Sequence, residues 1–218
     1  MIKAVLFDLD GTFADTAPDL AAALNKCRAD QKLPELPLEE VRLQTSNGAN
    51  ALIKLGFDLN VEDEGFAELK DNLLNNYSNN IAQHTTLFEG IEELINYLDQ
   101  NNLSWGIVTN KPERFTLPLM EALKITDRTN CIVSGDTTAH SKPHPEPLLY
   151  AAKLLGLAPY ECLYIGDAER DIQAARNAGM KSLIALFGYI GMEDEPEHWH
   201  ADGMINHAMQ TLDYLKLS

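Results

Sequence analysis

Apolar residues along this chain follow two patterns, and the change between them lies near residue 84. From Thr16 to about His84 they recur only at helical spacing: Leu20, Ala23, Leu24 and Cys27, then Leu52 and Ile53, then Phe66, Leu69, Leu73, Leu74 and Tyr77 on one face. Thr16 predicts an N-cap with Pro18 and Asp19 in the first turn, and Leu33-Pro34 a stop. Pro37 with Glu39 and Glu40 predicts a second start, and Ser46-Asn47-Gly48 leads into a third helix. No strand is expected in this stretch. Elsewhere short apolar runs read as buried strands, at Ala4 to Phe7, Trp105 to Thr109, Cys131 to Ser134, Cys162 to Gly166 and Ser182 to Leu186. Between them come helical patterns over Gly90 to Asp99, from Pro112 onward, from Pro145 past Leu155, and over Ile172 to Ala178. Pro118 is expected to kink or shorten its helix. This alternation predicts an α/β fold, a doubly wound, Rossmann-like parallel sheet that the first strand rejoins across an all-helical insertion. The expected division is an α/β core of residues 1–15 and 85–218 with a helical cap domain of residues 16–84.

The 218 residues carry 33 acids and 17 bases, a net charge of −16. Such a surface repels polyanions, so nucleic acid and acidic membrane are excluded as expected partners, while a small anion held by local cations is not. No apolar run is long enough to span a bilayer, and Asp8 and Asp10 cut the first one, which argues against a signal peptide. A cytoplasmic location is expected. Cys27, Cys131 and Cys162 are few, odd in number and set in apolar patterns, which suits reduced core residues.

Chemistry enters where the strands end. Side chains alternate along extended backbone, so Asp8 and Asp10 share a side and Leu9 points away. Two carboxylates facing one spot ask for a cation, a raised pKa, or both. Three further polar clusters follow predicted strands: Thr109-Asn110-Lys111, Lys142 in Ser141-Lys142-Pro143-His144-Pro145, and Asp167 with Asp171 in Gly166-Asp167-Ala168-Glu169-Arg170-Asp171. Ligands of open parallel sheets bind beyond the carboxyl ends of the strands, so the topology brings all four clusters to one crevice. Acids suited to magnesium, beside a lysine and anion donors, describe phosphoryl transfer.

On these four segments, Asp8-Leu9-Asp10-Gly11-Thr12, Val108-Thr109-Asn110-Lys111, Lys142 to Pro147 and Gly166 to Asp171, the chain resembles the haloacid dehalogenase-superfamily phosphatases, in the phosphoglycolate phosphatase-like branch with a helical cap. The resemblance implies a Mg2+-dependent phosphomonoester hydrolase acting on a small phosphorylated metabolite through an aspartyl-phosphate. It implies Asp8 as nucleophile and Asp10 as acid and base. Asp8, the backbone carbonyl of Asp10 and Asp167 would hold magnesium, with Asp171 in support, and Thr109, Asn110 and Lys142 would bind the phosphoryl oxygens. Phe13 and Ala168 stand where the family often has leucine and serine. The segment from Val41 to Leu55 also resembles N-acetylmuramic acid 6-phosphate phosphatases. A phosphomutase of the β-phosphoglucomutase type shares the core and is the other alternative.

Since the core motifs handle only the phosphoryl group, substrate choice is expected in the insertion. The turn Ser46-Asn47-Gly48-Ala49-Asn50 is expected to face the site, with Arg42 close by, and the chain crossings near Ala14-Asp15 and residues 83–88 to act as hinges. Lys111 reads equally as a second phosphate ligand or a surface residue. His140 and His144 read as loop residues flanking Lys142, His198-Trp199-His200 as a solvated loop, and Glu62, Asp63 and Glu64 as a solvated face. Arg42 and Lys54 also suit surface ion pairs.

Overall fold

A computed structural model describes residues 1–215. In chain order the elements are β1 (Ala4–Phe7), β2 (Ala14–Asp15), α1 (Ala17–Asp30), α2 (Leu38–Thr45), α3 (Gly48–Phe57), α4 (Phe66–Asn79), β3 (Thr86–Leu87), α5 (Ile91–Gln100), β4 (Ser104–Val108), α6 (Glu113–Ala122), β5 (Cys131–Val133), α7 (Glu146–Leu154), β6 (Cys162–Gly166), α8 (Glu169–Ala178), β7 (Lys181–Ala185), β8 (Gly203–Ile205) and α9 (Thr211–Leu215). Six strands form one parallel sheet in the order β5-β4-β1-β6-β7-β8. The chain therefore winds outward from β1 to one edge, returns to the other side of β1, and winds out again. That reversal makes an α/β doubly wound sheet, with its switch point between β1 and β6.

The alternation of side chains explains why β1 is apolar at every position. Val5 and Phe7 join Trp105, Ile107, Leu163 and Ile165 on one face, where Ile91, Leu94, Ile95 and Leu98 of α5 cover them. Ala4 and Leu6 join Val108, Val133, Cys162 and Tyr164 on the other, under Leu148, Ala151 and Ala152 of α7 and the alanines of α8. Each large side chain so buried contributes about 1.5–3 kcal/mol. The short alanines let α8 pack close. All three cysteines are buried and free, as expected.

Helices α1 to α4 pack around a separate cluster that includes Leu24, Leu52, Ile53, Leu73 and Tyr77, and Phe115 of α6 reaches into it from the sheet side. Both crossings are tied. Ala14 pairs with Leu87 and Asp15 with Thr86 in a two-stranded antiparallel ladder, and the Asp19 carboxylate accepts from the Thr85 and His84 backbones and the Thr85 hydroxyl at 2.6–2.9 Å.

Several local expectations change. The Thr16 side chain caps nothing: its backbone already has helical angles, φ −90° and ψ −7°, and its hydroxyl is turned to donate to Asp10. Helix α1 ends at Asp30, before Leu33-Pro34. Helix α6 runs through Pro118 to Ala122. Helix α8 begins three residues earlier than its apolar pattern, where Asp171 accepts from the Ala168 backbone and satisfies an end amide. Strands β2, β3 and β8 were not expected: β2 and β3 have two residues each, and β8, Gly203-Met204-Ile205, opens on a glycine and lacks the apolar run that marks the equally short β5.

Candidate active site

Neighbouring strands β4, β1 and β6 end side by side, and the residue just beyond each is polar: Thr109, Asp8 and Asp167. The ladder extends onto the first two, since the Asp8 amide donates to the Ile165 carbonyl at 2.8 Å and the Thr109 amide to that of Val133 at 2.9 Å. These side chains are thereby fixed by sheet register, at the switch point.

Asp8, Asp167 and Asp171 each offer an oxygen within 4.8 Å of the others, and all three are buried. One buried cation answers them. The Lys142 ammonium lies 2.9 Å from Asp8 Oδ1 and 2.7 Å from Asp171 Oδ1, and donates to the Tyr164 hydroxyl at 2.7 Å. That hydroxyl donates in turn to the Val108 carbonyl at 2.8 Å. Burial alone would lower the lysine's pKa, but Asp171 and Asp8 reverse this and hold it above its ordinary value. Burial raises Asp8 in spite of Lys142. Asp167 is pushed up to about 7 by burial and by the charges of Asp8 and Asp171. Three oxygen-donor acids against the Lys142 ammonium and the more distant Arg170 guanidinium still leave excess negative charge that a hard divalent cation would neutralise, so the donor set fits magnesium.

Asp167 is anchored from three directions. It accepts from the Thr12 hydroxyl at 3.0 Å, the Tyr189 amide at 3.0 Å and the Ser46 hydroxyl at 3.1 Å. Gly11, at φ +85°, lets the loop after β1 lie against it; a Cβ there would come within 2.2 Å of its carboxylate.

Asp10 belongs to a second group. Its carboxylate lies outside the three-acid cluster and accepts from the Thr16 hydroxyl at 2.5 Å and the Lys111 ammonium at 2.9 Å, while the Lys111 amide donates to the Thr109 hydroxyl at 3.1 Å. The side-chain amide of Asn110 is used within the protein, exchanging two 2.9 Å hydrogen bonds with the Lys142 backbone. This clamp joins the loops after β4 and β5.

Both groups open onto a cavity of about 600 Å³ between the sheet edge and the helical insertion. Its wall includes Asp8, Asp10, Thr109, Asn110 and Lys111 from the sheet side, and from the insertion the whole turn from Ser46 to Asn50. Arg42 is not part of that wall. It forms an ion pair with Asp15 at 2.6 Å, because the last turn of α2 sends its side chain back to the crossing strand. His140 and His144 also lie outside the wall and pack edge to face on each other. His198 pairs with Glu195 at 2.9 Å in an exposed loop.

Four contributors carried no functional expectation. Tyr164 sits in a run that reads as wholly apolar, and only Lys142 across the sheet reveals its hydroxyl. Thr12 and Arg170 lie inside the quoted motifs, where their neighbours drew the assignment; Arg170 donates to the Ser46 carbonyl at 2.6 Å. Tyr189 follows the last predicted strand and joins the two parts, donating to Asp15 at 2.7 Å and accepting from the Ala17 amide at 2.9 Å.

Known proteins share this arrangement along almost the whole chain. The N-acetylmuramic acid 6-phosphate phosphatase of Pseudomonas putida is 40% identical over 96% of this chain and 94% of its own. The phosphoglycolate phosphatase of Xanthomonas campestris is 40% identical over 95% and 94%. A crystal structure described as a predicted phosphoglycolate phosphatase from Haemophilus somnus superposes with a TM-score of 0.87 at 27% identity, over 98% of both chains. Residues 5–185 match the family model for haloacid dehalogenase-like hydrolases, and the chain belongs to that family.

Proposed function

We propose that this protein is a magnesium-dependent phosphomonoester hydrolase acting on a small phosphorylated organic acid. The observation that carries it is the pair of distinct carboxylate environments at one cavity mouth, Asp8 among buried acids and a lysine, Asp10 bonded to Thr16 and Lys111. Asp8 attacks phosphorus, and the bond from phosphorus to the ester oxygen breaks as Asp10 gives that oxygen its proton. Asp10 then takes a proton from the water that hydrolyses the aspartyl-phosphate. The Thr109 hydroxyl, the Asn110 backbone amide and Lys142, beside Asp8, hold the phosphoryl oxygens, and Lys111 keeps Asp10 aimed at the reacting end. Asp8, Asp167, Asp171 and the backbone carbonyl of Asp10 would hold magnesium, which supplies charge neutralisation for the transferring group. Residues 16–84 act as the cap that covers the crevice and selects the ester.

Phosphate release measured after EDTA treatment and again with added magnesium tests this reading. Activity should vanish and return; full turnover by metal-free enzyme would sink the metal assignment. Release of a positional isomer in place of free phosphate would instead make the protein a mutase.

The size of the cavity favours one of the two acids named by the relatives. About 600 Å³ is the room of a drug-sized ligand. Phosphoglycolate leaves most of that empty, whereas a phosphorylated sugar acid such as N-acetylmuramic acid 6-phosphate fills more of it. Relative kcat/KM for the two esters decides between them.

A further inference from the structure

The cavity wall is basic in a chain that is acidic. Its charged members are Lys70, Lys111, Arg114 and Arg170 against Asp8 and Asp10, where the whole chain has 17 bases against 33 acids. Lys111 is engaged with Asp10 and Arg170 with the Ser46 carbonyl. Lys70 and Arg114 have no acidic partner among the described residues; the Arg114 guanidinium lies over the Phe115 ring, 4.7 Å from its centroid.

Helix α4 supplies a ruler. Lys70, Leu74 and Tyr77 all line the cavity, and their spacing puts them on one stripe of the helix. Tyr77 marks the reacting end, because its ring centroid is 4.6 Å from the Lys111 ammonium that bonds Asp10. Seven residues at 1.5 Å each place the Lys70 backbone ~10 Å further along the helix axis. The wall between is apolar, with Leu74 joined by Leu20 and Leu52. Arg114 enters from the sheet side, beside Phe115, whose ring is 5.7 Å from that of Tyr77.

We propose that Lys70 and Arg114 form a subsite for a carboxylate, so that the substrate is a phosphomonoester whose carboxylate stands a sugar ring's length from its phosphoryl group. The inference rests on the phosphatase reading and narrows it. In phosphoglycolate a single oxygen and methylene separate phosphorus from the carboxyl carbon, too short to engage both ends. In N-acetylmuramic acid 6-phosphate the carboxyl-bearing ether and the phosphate-bearing carbon are held by different ring carbons, so part of the sugar ring separates the two charged groups.

The test compares that compound with N-acetylglucosamine 6-phosphate, which lacks the carboxyl-bearing ether. Wild type should prefer the acid by about tenfold or more in kcat/KM, and Lys70→Gln and Arg114→Gln should each reduce that preference about tenfold, mainly through KM, as expected for a lost charge-assisted hydrogen bond. Equal turnover of both esters by wild type, or a preference unchanged in both variants, overturns the subsite. Calorimetric binding of both esters to Asp8→Asn enzyme separates the two claims. Tighter binding of the acid without any hydrolysis by wild type keeps the subsite and overturns the hydrolase reading, while equal binding of both esters overturns the subsite whatever the turnover.

Discussion

At the sheet edge the reactive side chains follow from strand ends: Asp8, Thr109 and Asp167 are each the first residue past β1, β4 and β6. In the helical insertion no such rule operates. Its cavity residues come from the turn between α2 and α3 and from a stripe of α4, and their positions depend on how four helices pack around Leu24, Leu52 and Leu73. Register fixes atoms to within the tolerance of a hydrogen bond, which phosphoryl transfer needs. Helix packing can shift by small slides and rotations, which suits a surface that selects the rest of an ester and must open to release product. The polar contacts that join the two regions include Ser46 to Asp167, Arg170 to the Ser46 carbonyl, Thr16 to Asp10, Thr85 to Asp19 and the Arg42–Asp15–Tyr189 group.

If this division is right, substitutions at the sheet edge should strike the rate of every substrate, and those in the insertion its ranking. The largest effect belongs to Asp8→Asn, which keeps the shape but removes the attacking anion. Phosphate release from p-nitrophenyl phosphate should fall to background with the circular dichroism spectrum unchanged, and activity within tenfold of wild type would remove Asp8 from the role of nucleophile. Asp10→Asn should lower kcat by about 10²–10⁴ for all esters, the usual worth of a general acid and base; a loss confined to one ester would move Asp10 to the selecting side.

Tyr164→Phe sharpens the comparison through stability. It strips Lys142 of one acceptor and leaves the Val108 carbonyl without its donor, so urea unfolding should show a loss of about 1–3 kcal/mol. No change would mean that the buried hydroxyl contributes nothing to holding the lysine. The smallest effect is expected of Ser46→Ala, which deletes a neutral donor to Asp167 from the insertion. It should change kcat/KM by about twofold to tenfold, unequally across a panel of natural esters. A uniform change would place Ser46 with the sheet-edge machinery.

Helices α1, α3 and α4 and the strands β1, β4 and β6 were legible from the apolar patterns they bury, and α2 from its start at Pro37, Glu39 and Glu40. β2 has two residues, too few for any pattern, and β8 opens on Gly203 without the apolar run that marks the equally short β5. Asp8, Thr109 and Asp167 were legible as polar residues directly after apolar runs, a local signal, and Lys142 as part of the Lys142 to Pro147 segment. Tyr164 was not, since a tyrosine in a buried strand reads as core until its partner is known. Arg42 shows the reverse case. It reads both as a substrate contact and as a surface ion pair, and Asp15, 27 residues away, makes it the second.

By itself the sequence determined the doubly wound class, the run of helices that follows the first strand and which loops beyond the strands carry polar groups, because strand ends, turns and helical stripes are written in neighbouring residues. The tertiary structure decided which charges meet. Lys142 is shared by Asp8 and Asp171, Lys111 goes to Asp10, and Lys70 and Arg114 face a common cavity. Coulombic and hydrogen-bond energies depend on distance through space, and a spacing along the chain fixes that distance only within a single helix or strand.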